Sequence, residues 1–337
     1  MSTETLASFA CFGGQCTVGV AGTGPLGTPP AAVEAVRDTL LAWHRAFSRF
    51  DPQSELSQLN ADSRSTVPAS PLMVRLAQAV APAGRRSHGL VDATLAAEIE
   101  LAGYATHFAG TGIDLRHALE IAPARRAASG DPRRRWALVS GDPNAWTVTR
   151  PPGLRLDSGG LAKGLFADVI ADRLGGYDAF VVNLCGDLRL GGSAAAGRRV
   201  DVESPFDGRV LHAFTLPTGA VATSGIGRRS WLGPGARPSH HLLDPSTGKP
   251  AYTGLVQVTA LAPTALEAEW RSKAAVLSGP DGARPRLPHG GLLVFDDESA
   301  ELVPATATAT ATAPAPPRVV VRVRHGGRLE LAAPRPL

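Results

Sequence analysis

The chain has 337 residues, of which 44% are hydrophobic, so it can bury the core of one large domain or of two smaller ones. Its formal net charge is only +4, which argues against a nucleic-acid-binding protein, and the arginine-rich segment 124–136 is interpreted as a solvated loop. No run of about 18 apolar residues is present, so no membrane span is predicted.

The cysteines and the N-terminal residues bear on the cellular compartment. Cys11, Cys16 and Cys185 show no zinc-binding spacing and are odd in number, which favours free buried thiols in a reducing compartment. The first residues lack the charged and apolar regions of a signal peptide. The sequence therefore predicts a cytoplasmic protein.

The first part of the chain predicts one strand followed by helices. Residues 8–20 read as a strand interrupted by two glycines. Apolar residues at helical spacing predict a helix over 31–49, and Ser70 followed by a proline predicts the start of a second helix over 70–83. A third helix is predicted over 93–103.

From residue 136 onward, short alternating segments predict strands, with two helices over 160–174 and 264–278. Short turns between neighbouring strands favour an α+β fold with a mixed, largely antiparallel sheet and flanking helices. We expect one compact domain over 1–304, then an Ala/Thr/Pro linker over 305–317. Residues 318–337 form a tail that is predicted to be a hairpin or a disordered end.

The first segment with chemical meaning is LDSGGLAKG, 156–164. Two glycines open a helix, and Lys163 adds a positive charge to its N-terminal end, which favours an anion. The segment matches neither of the common glycine-rich phosphate-binding patterns. A tight turn between a strand and a helix is therefore the alternative.

A second segment, 221–251, contains VATSG and HHLLDPSTGKPA. Thr223 and Ser224 offer hydroxyl groups beside a glycine. His240 and His241 would face opposite sides of a strand, so only one of them can enter a given site. This argues against a zinc site and favours one histidine as a base or hydrogen-bond donor, oriented by Asp244.

The third segment is the predicted helix of 264–279, which begins with a capping box at Thr264. Glu269 and Lys273 are four residues apart and therefore adjacent on one flank of this helix. The alternative to a functional role is a surface ion pair that contributes about 0.3 to 0.5 kcal/mol.

These segments, together with 47–60, 89–95 and 181–192, occur in the order of the motifs of the ApbE-type FAD:protein FMN transferases. The chain resembles this family from about residue 8 to 298. The resemblance implies an enzyme that cleaves FAD in the presence of Mg²⁺, attaches FMN through a phosphoester to a Thr or Ser hydroxyl of a target protein, and releases AMP. It also implies that FAD binds between the two halves of one compact unit.

Matched position by position, the resemblance implies His241 as the catalytic residue. It implies Mg²⁺ ligands at the Gly160 carbonyl and at Glu269. The implied FAD contacts are Phe12, Phe50, Leu90, Val91, Asp92, Asp157, Lys163, Thr223, Ser224 and Leu242.

One position departs from the family pattern. The family commonly has Ala-Asp-x-x-x-Thr, whose Asp and Thr oxygens hold Mg²⁺, whereas this chain has Ala268-Glu269 and then Lys273. An ammonium group cannot ligate a metal. The alternatives are therefore metal-independent transfer or a flavin carrier with little activity, and an FAD pyrophosphatase would need the same site.

The acceptor is expected to be a different polypeptide. The chain contains no segment of the [DS]GAT type that the family modifies. A redox protein with a modifiable Thr or Ser is the expected partner.

Overall fold

The computed structural model describes residues 3–106, 112–306 and 320–321. Its helices are α1 (Pro29–Ala46), α2 (Glu55–Ala61), α3 (Pro71–Arg86), α4 (Ala96–Leu101), α5 (Leu115–Glu120), α6 (Ala162–Arg173) and α7 (Ala265–Ala283). Its strands are β1 (Thr5–Cys11), β2 (Gly14–Ala21), β3 (Thr66–Pro68), β4 (Ser140–Asp142), β5 (Thr147–Thr149), β6 (Ala179–Leu184), β7 (Asp187–Gly191), β8 (Arg198–Glu203), β9 (Val210–Leu216), β10 (Gly219–Gly225), β11 (Ser230–Leu232), β12 (Pro238–His240), β13 (Leu243–Asp244), β14 (Lys249–Pro250), β15 (Leu255–Ala262), β16 (Gly291–Phe295), β17 (Ala300–Val303) and β18 (Val320–Val321).

The central element is an eight-stranded sheet in the order β1-β2-β6-β7-β10-β15-β16-β17. Every neighbouring pair in it is antiparallel. The helices α1, α6 and α7 contact its strands and enclose the main hydrophobic core. The predicted α+β fold with a largely antiparallel sheet and flanking helices is confirmed.

A second, smaller core lies between the central sheet and the β8–β9 hairpin. It joins Val200 of β8 to apolar residues of β6, β7 and β10. Because strand side chains alternate between faces, these residues point away from the helices. The central sheet is therefore covered on both faces over this part of its area.

The N-terminal end of α7 is fixed to α6. The Asp168 carboxylate of α6 accepts hydrogen bonds from the backbone N–H groups of Ala265 and Leu266, at 2.7 and 2.9 Å, and so caps α7. Gly164 lies directly against the start of α7, where a Cβ atom would come within 2.6 Å of the Ala265 carbonyl oxygen. The two helices approach this closely because residue 164 has no side chain.

Several predicted element boundaries are corrected. The strand predicted over 8–20 is the β1–β2 hairpin, because Phe12 and Gly13 both adopt positive φ and form a two-residue turn. Part of the strand predicted after residue 136 is a short 3₁₀ helix, Arg135–Leu138. By contrast, the predicted helix end at Gly279 agrees with the structure: Gly279 adopts a non-helical conformation with φ of 70°, and a further short helical segment follows it to Ala283.

Other predictions at helix ends agree with the structure. The Ser70 hydroxyl accepts a hydrogen bond from the Met73 N–H, and a proline occupies the first position of α3. The Thr264 hydroxyl accepts one from the Glu267 N–H at 3.2 Å. In the described part of the chain, no helix is long and apolar enough to cross a membrane.

Most of the predicted linker and tail lies outside the described residues. Residues 307–319 and 322–337 are among those not described, so the linker over 305–317 and the hairpin over 318–337 stay predictions. The short strand β18 pairs in parallel with β8.

Candidate active site

A cavity of about 1040 Å³ lies among the central sheet, α1, α6 and α7. Its wall combines turns, strand ends and the start of α6, which come from distant parts of the sequence. Predicted site residues line it as follows: Phe12, Phe50, Leu90, Val91, Asp92, Asp157, Gly160, Lys163, Thr223, Ser224, His241 and Leu242. Glu269, the other predicted metal ligand, lies behind this wall.

Two hairpin turns of the same kind form one side of the cavity. In the β1–β2 turn Phe12 and Gly13 have φ of 52° and 72°, and in the β6–β7 turn Cys185 and Gly186 have φ of 59° and 102°. Positive φ at both central residues defines the type I′ turn. The first position of each turn therefore directs a side chain, Phe12 or Cys185, toward the cavity.

Aromatic rings and a guanidinium group form the opposite side. The Arg49 guanidinium lies 4.3 Å from the centroid of the Phe50 ring and 4.5 Å from that of Tyr104. Its Nε is also 3.7 Å from the Asp157 carboxylate. This cation–π arrangement holds the two aromatic side chains at the cavity wall.

The segment after α3 supplies Leu90, Val91 and Asp92. The Ser87 hydroxyl accepts a hydrogen bond from the Val91 N–H at 3.0 Å and so fixes the turn. Asp92 Oδ1 accepts hydrogen bonds from Thr94, whereas its buried Oδ2 has no hydrogen-bond partner among the described residues. Burial raises the pKa of Asp92. A buried carboxyl oxygen without a partner can take a donor from a ligand.

The turn that opens α6 brings Asp157, Gly160 and Lys163 together. Asp157 accepts a hydrogen bond from the Gly159 N–H, and no atom lies within 4 Å of where a Cβ on Gly160 would be. The Lys163 ammonium contacts the Asp187 carboxylate and lies 3.6 Å from Glu269. Burial lowers the pKa of Lys163, but these two carboxylates outweigh it and leave the pKa raised.

The Glu269–Lys273 pair is buried, which excludes the surface ion pair considered from the sequence. The Glu269 side chain is 0% exposed and that of Lys273 is 11% exposed, with 2.8 Å between Oε1 and Nζ. Glu269 Oε2 accepts a hydrogen bond from the Gly164 N–H at 2.8 Å. Burial raises the pKa of Glu269, and the two lysines oppose this increase.

The surroundings of Glu269 do not suit a magnesium ion. Both oxygens of Glu269 already accept hydrogen bonds, from Lys273 and from the Gly164 N–H, and an ammonium occupies the position where the family pattern has a Thr oxygen. Mg²⁺ needs a near-octahedral set of oxygen ligands. Among the described residues, no three His, Cys, Asp or Glu side chains are grouped to hold a metal. Glu269 as a metal ligand therefore stays a prediction, and its surroundings do not favour it.

The two adjacent histidines do separate, as the strand argument predicts. His240 is 1% exposed and packs edge-to-face on Tyr252, at 4.8 Å between ring centroids, whereas His241 lines the cavity. Burial, Arg229, His240 and Lys273 lower the pKa of His241 well below its usual value, so its imidazole is neutral at pH 7. Its buried Nδ1 has no hydrogen-bond partner in the described part of the chain. Asp244 accepts from Ser129 and Ser246 instead of orienting this ring.

The remaining predicted contacts are two hydroxyl groups on β10 and the side chain of Leu242. The Thr223 hydroxyl bonds to that of Thr259 and the Ser224 hydroxyl to that of Ser272, both at 2.8 Å. Leu242 is 5% exposed and contributes apolar surface to the cavity.

Sequence reasoning missed three arginines and one carboxylate of the site. Arg49, Arg228 and Arg229 line the cavity, and Asp187 pairs with Lys163. All four lie within or next to the motif segments, yet arginine is so common in this chain that no single one stands out. Arg229 donates to the Phe12 carbonyl at 3.2 Å and so links two walls of the cavity, a contact that sequence spacing cannot reveal.

The cavity can therefore hold a large anionic ligand. Aromatic and apolar surfaces lie on one side, several cations lie around the start of α6, and a neutral histidine lies at the wall. Pockets for organic ligands commonly measure about 300 to 1000 Å³, so this one is large enough for a dinucleotide.

Known proteins match the chain over most of its length. A sequence model described as the ApbE family matches residues 12–290. A protein of Klebsiella pneumoniae named FAD:protein FMN transferase is 27% identical, with 80% of this chain and 79% of the relative aligned. A protein of Treponema pallidum with the same name is 28% identical, with 80% of this chain and 77% of the relative aligned.

Solved structures share the fold. The ApbE protein of Thermotoga maritima has a TM-score of 0.73 and 23% identity, covering 89% of this chain and 97% of its own. The flavin transferase ApbE of Vibrio cholerae has a TM-score of 0.69 and 20% identity, covering 91% and 98%. At these identities the structures establish the fold, and the match to the family model over most of the sequence shows that the chain belongs to the ApbE family.

Proposed function

We propose that this chain is an FAD:protein FMN transferase that attaches FMN to a Thr or Ser hydroxyl of an acceptor protein. Its curated relatives carry that name. The observation that carries the proposal is that one cavity collects twelve of the thirteen residues matched to the family's site, drawn from distant parts of the chain.

The proposed reaction exchanges one phosphate bond for another. The acceptor hydroxyl oxygen attacks the phosphorus of the FMN half of FAD, the bond to the bridging oxygen breaks, and AMP leaves with that oxygen. A phosphoester joins FMN to the acceptor. Positioning and electrostatic stabilisation carry most of the catalysis in such transfers.

His241 is the proposed general base. The hydroxyl loses its proton in the reaction, and a base must be neutral in order to accept it. The lowered pKa of His241 keeps the imidazole neutral, and a pyrophosphate bound beside the ring would raise that pKa toward the range in which the ring acts as a base.

The proposed FAD contacts divide by chemistry. Lys163, Arg228 and Arg229 would face the pyrophosphate, because developing negative charge there needs cations. The aromatic wall at Phe50 and Tyr104 would stack against a ring of FAD. Asp92 would take a donor from the ligand through its free Oδ2.

The acceptor and the location stay predictions. An acceptor protein follows from flavin transfer, and its nature as a redox protein is part of the proposal. The cytoplasmic location rests on the sequence alone.

The test is to incubate the purified chain with FAD and a peptide that carries an acceptor threonine of the family type, and to follow peptide mass and AMP. A mass gain equal to FMN, less water, together with AMP release would support the transferase. Free FMN and AMP without a modified peptide would indicate a pyrophosphatase instead. Intact bound FAD, after a peptide from the natural partner had also failed, would indicate a carrier.

A further inference from the structure

The buried Glu269–Lys273 pair forms one end of a row of four charges. Lys163 contacts Asp187 and approaches Glu269, which in turn pairs with Lys273. Two ammonium groups thus face two carboxylates. Buried charges are retained in proteins when they are paired and hydrogen-bonded in this way.

Lys273 stands between Glu269 and the cavity. The carboxylate has no exposed surface, whereas the lysine side chain keeps 11% of its surface exposed and lines the cavity. An ammonium group has three N–H donors, of which Glu269 takes one. Lys273 can therefore present positive charge to an anion in the cavity while its partner stays buried.

A divalent cation has no comparable place here. To reach Glu269 Oε1 it would have to displace the Lys273 ammonium and lie beside Lys163, which is 3.6 Å from that oxygen. Two positive charges would then face the metal at close range, and like charges repel strongly where water is excluded.

We infer that the Lys273 ammonium supplies the positive charge that a bound divalent cation would otherwise place against the pyrophosphate. FAD binding and FMN transfer then need no metal. This inference rests on the proposed function. Lys273 is then a group that touches the pyrophosphate of the substrate, with Glu269 as the residue that positions it.

The direct test is metal binding by the unaltered chain, loaded with FAD and freed of excess ligand. Mn²⁺ can be titrated in and the free ion followed by electron paramagnetic resonance. We expect no stoichiometric Mn²⁺ at concentrations where ordinary magnesium sites fill. One Mn²⁺ bound per chain, released by EDTA, would overturn the inference.

A gain-of-site variant tests the same idea from the other direction. Glu269→Asp combined with Lys273→Thr creates the Ala-Asp-x-x-x-Thr pattern and removes the ammonium. We expect this double variant to bind one Mn²⁺ per chain. Lys249→Thr makes the same replacement at an exposed lysine and should bind none. A folded double variant that binds no Mn²⁺ would count against the inference. If the double variant does not fold, the Mn²⁺ titration of the unaltered chain is the test.

The affinity for FAD in EDTA provides a readout that does not require transfer activity. The unaltered chain should bind FAD equally well in EDTA and in Mg²⁺. Lys273→Thr should weaken binding in EDTA by about tenfold or more, the effect of one hydrogen bond to a charged group. Strong dependence of the unaltered chain on Mg²⁺ would contradict the inference. Absence of FMN transfer in both buffers would contradict only the proposed function.

Discussion

At the scale of single residues, His241 is the candidate for proton transfer because it lines the cavity with a neutral imidazole. We expect His241→Ala to reduce FMN transfer by at least about a hundredfold, because general-base catalysis contributes at least this much. Affinity for FAD should stay within about tenfold, roughly 1.4 kcal/mol. Transfer rates and FAD titrations of the variant measure the two effects.

His117→Ala is the matched control, because His117 lies on α5 with an exposed side chain and outside the cavity wall. This variant should transfer FMN at the unaltered rate. A fully active His241→Ala protein would remove His241 from the mechanism.

Cys185 is a second residue with unusual titration. The contact with the Cys16 thiol, 3.8 Å away, lowers the pKa of Cys185 to about 7; burial opposes this shift, and the charges of Lys163 and Arg229 support it. A thiol with a lowered pKa is present as thiolate above that pKa and loses this form as the pH falls below it. Alkylation of Cys185 should therefore be fast at pH 8 and slow well below pH 7.

The measurement is iodoacetamide labelling across this pH range, followed by peptide mass spectrometry. Cys16 is the internal control. Its side chain is 0% exposed, and its contacts with Cys11 and Cys185 raise its pKa, so it should react far more slowly. Bound FAD should slow labelling of Cys185 because this residue lines the cavity. Labelling that rises only near the ordinary thiol pKa of about 8.5 would contradict the prediction.

At the scale of elements, the contact between α6 and α7 depends on Gly164. A Cβ there would lie within 2.6 Å of the Ala265 carbonyl oxygen and 2.7 Å of the Leu266 Cα, so the helices would have to separate. We expect Gly164→Ala to reduce the free energy of unfolding by about 1 to 3 kcal/mol, as overpacked cores do. The gain in helix propensity, about 0.5 to 1 kcal/mol, is smaller.

Urea denaturation of the Gly164→Ala variant, with Gly175→Ala as the control variant, measures this effect. Gly175 is exposed, and a Cβ on this residue would lie 3.5 Å from its nearest neighbour, the Asp172 carbonyl oxygen. The control should unfold close to the unaltered midpoint. Equal midpoints for the two variants would show that α6 and α7 can separate at little cost.

The elements also show what the sequence can and cannot predict. The caps at Ser70 and Thr264 and most of the strands after residue 136 depend on local patterns, and they agree with the structure. The exception is the 3₁₀ helix Arg135–Leu138. Glu269 and Lys273 do not form the surface ion pair that was the alternative from the sequence, because α6 packs on that flank of α7. Residue spacing within one helix cannot reveal such packing. The two-residue turn at Phe12 was missed because the glycines beside it were interpreted as an interruption.

At the scale of the whole molecule, the cavity wall draws on residues from Ser8 to Leu277, so a ligand in it would hold distant segments together. A ligand that binds only the folded state stabilises it by about 2.7 kcal/mol at a hundred times its dissociation constant. FAD at that level should raise the Tm by about 3 to 5 °C. Arg229→Met should reduce this shift, because Arg229 joins the Phe12 turn to the segment before His241.

Arg173→Met is the control, since Arg173 is an exposed residue at the end of α6 and outside the cavity wall. Both variants lose one positive charge, so a general loss of attraction between FAD and the chain would reduce both shifts equally. A smaller shift in Arg229→Met alone would indicate a local contact with the ligand. Full shifts in both variants would mean that Arg229 does not contribute to binding, and the cation–pyrophosphate contacts would then depend on Lys163, Arg228 and Lys273.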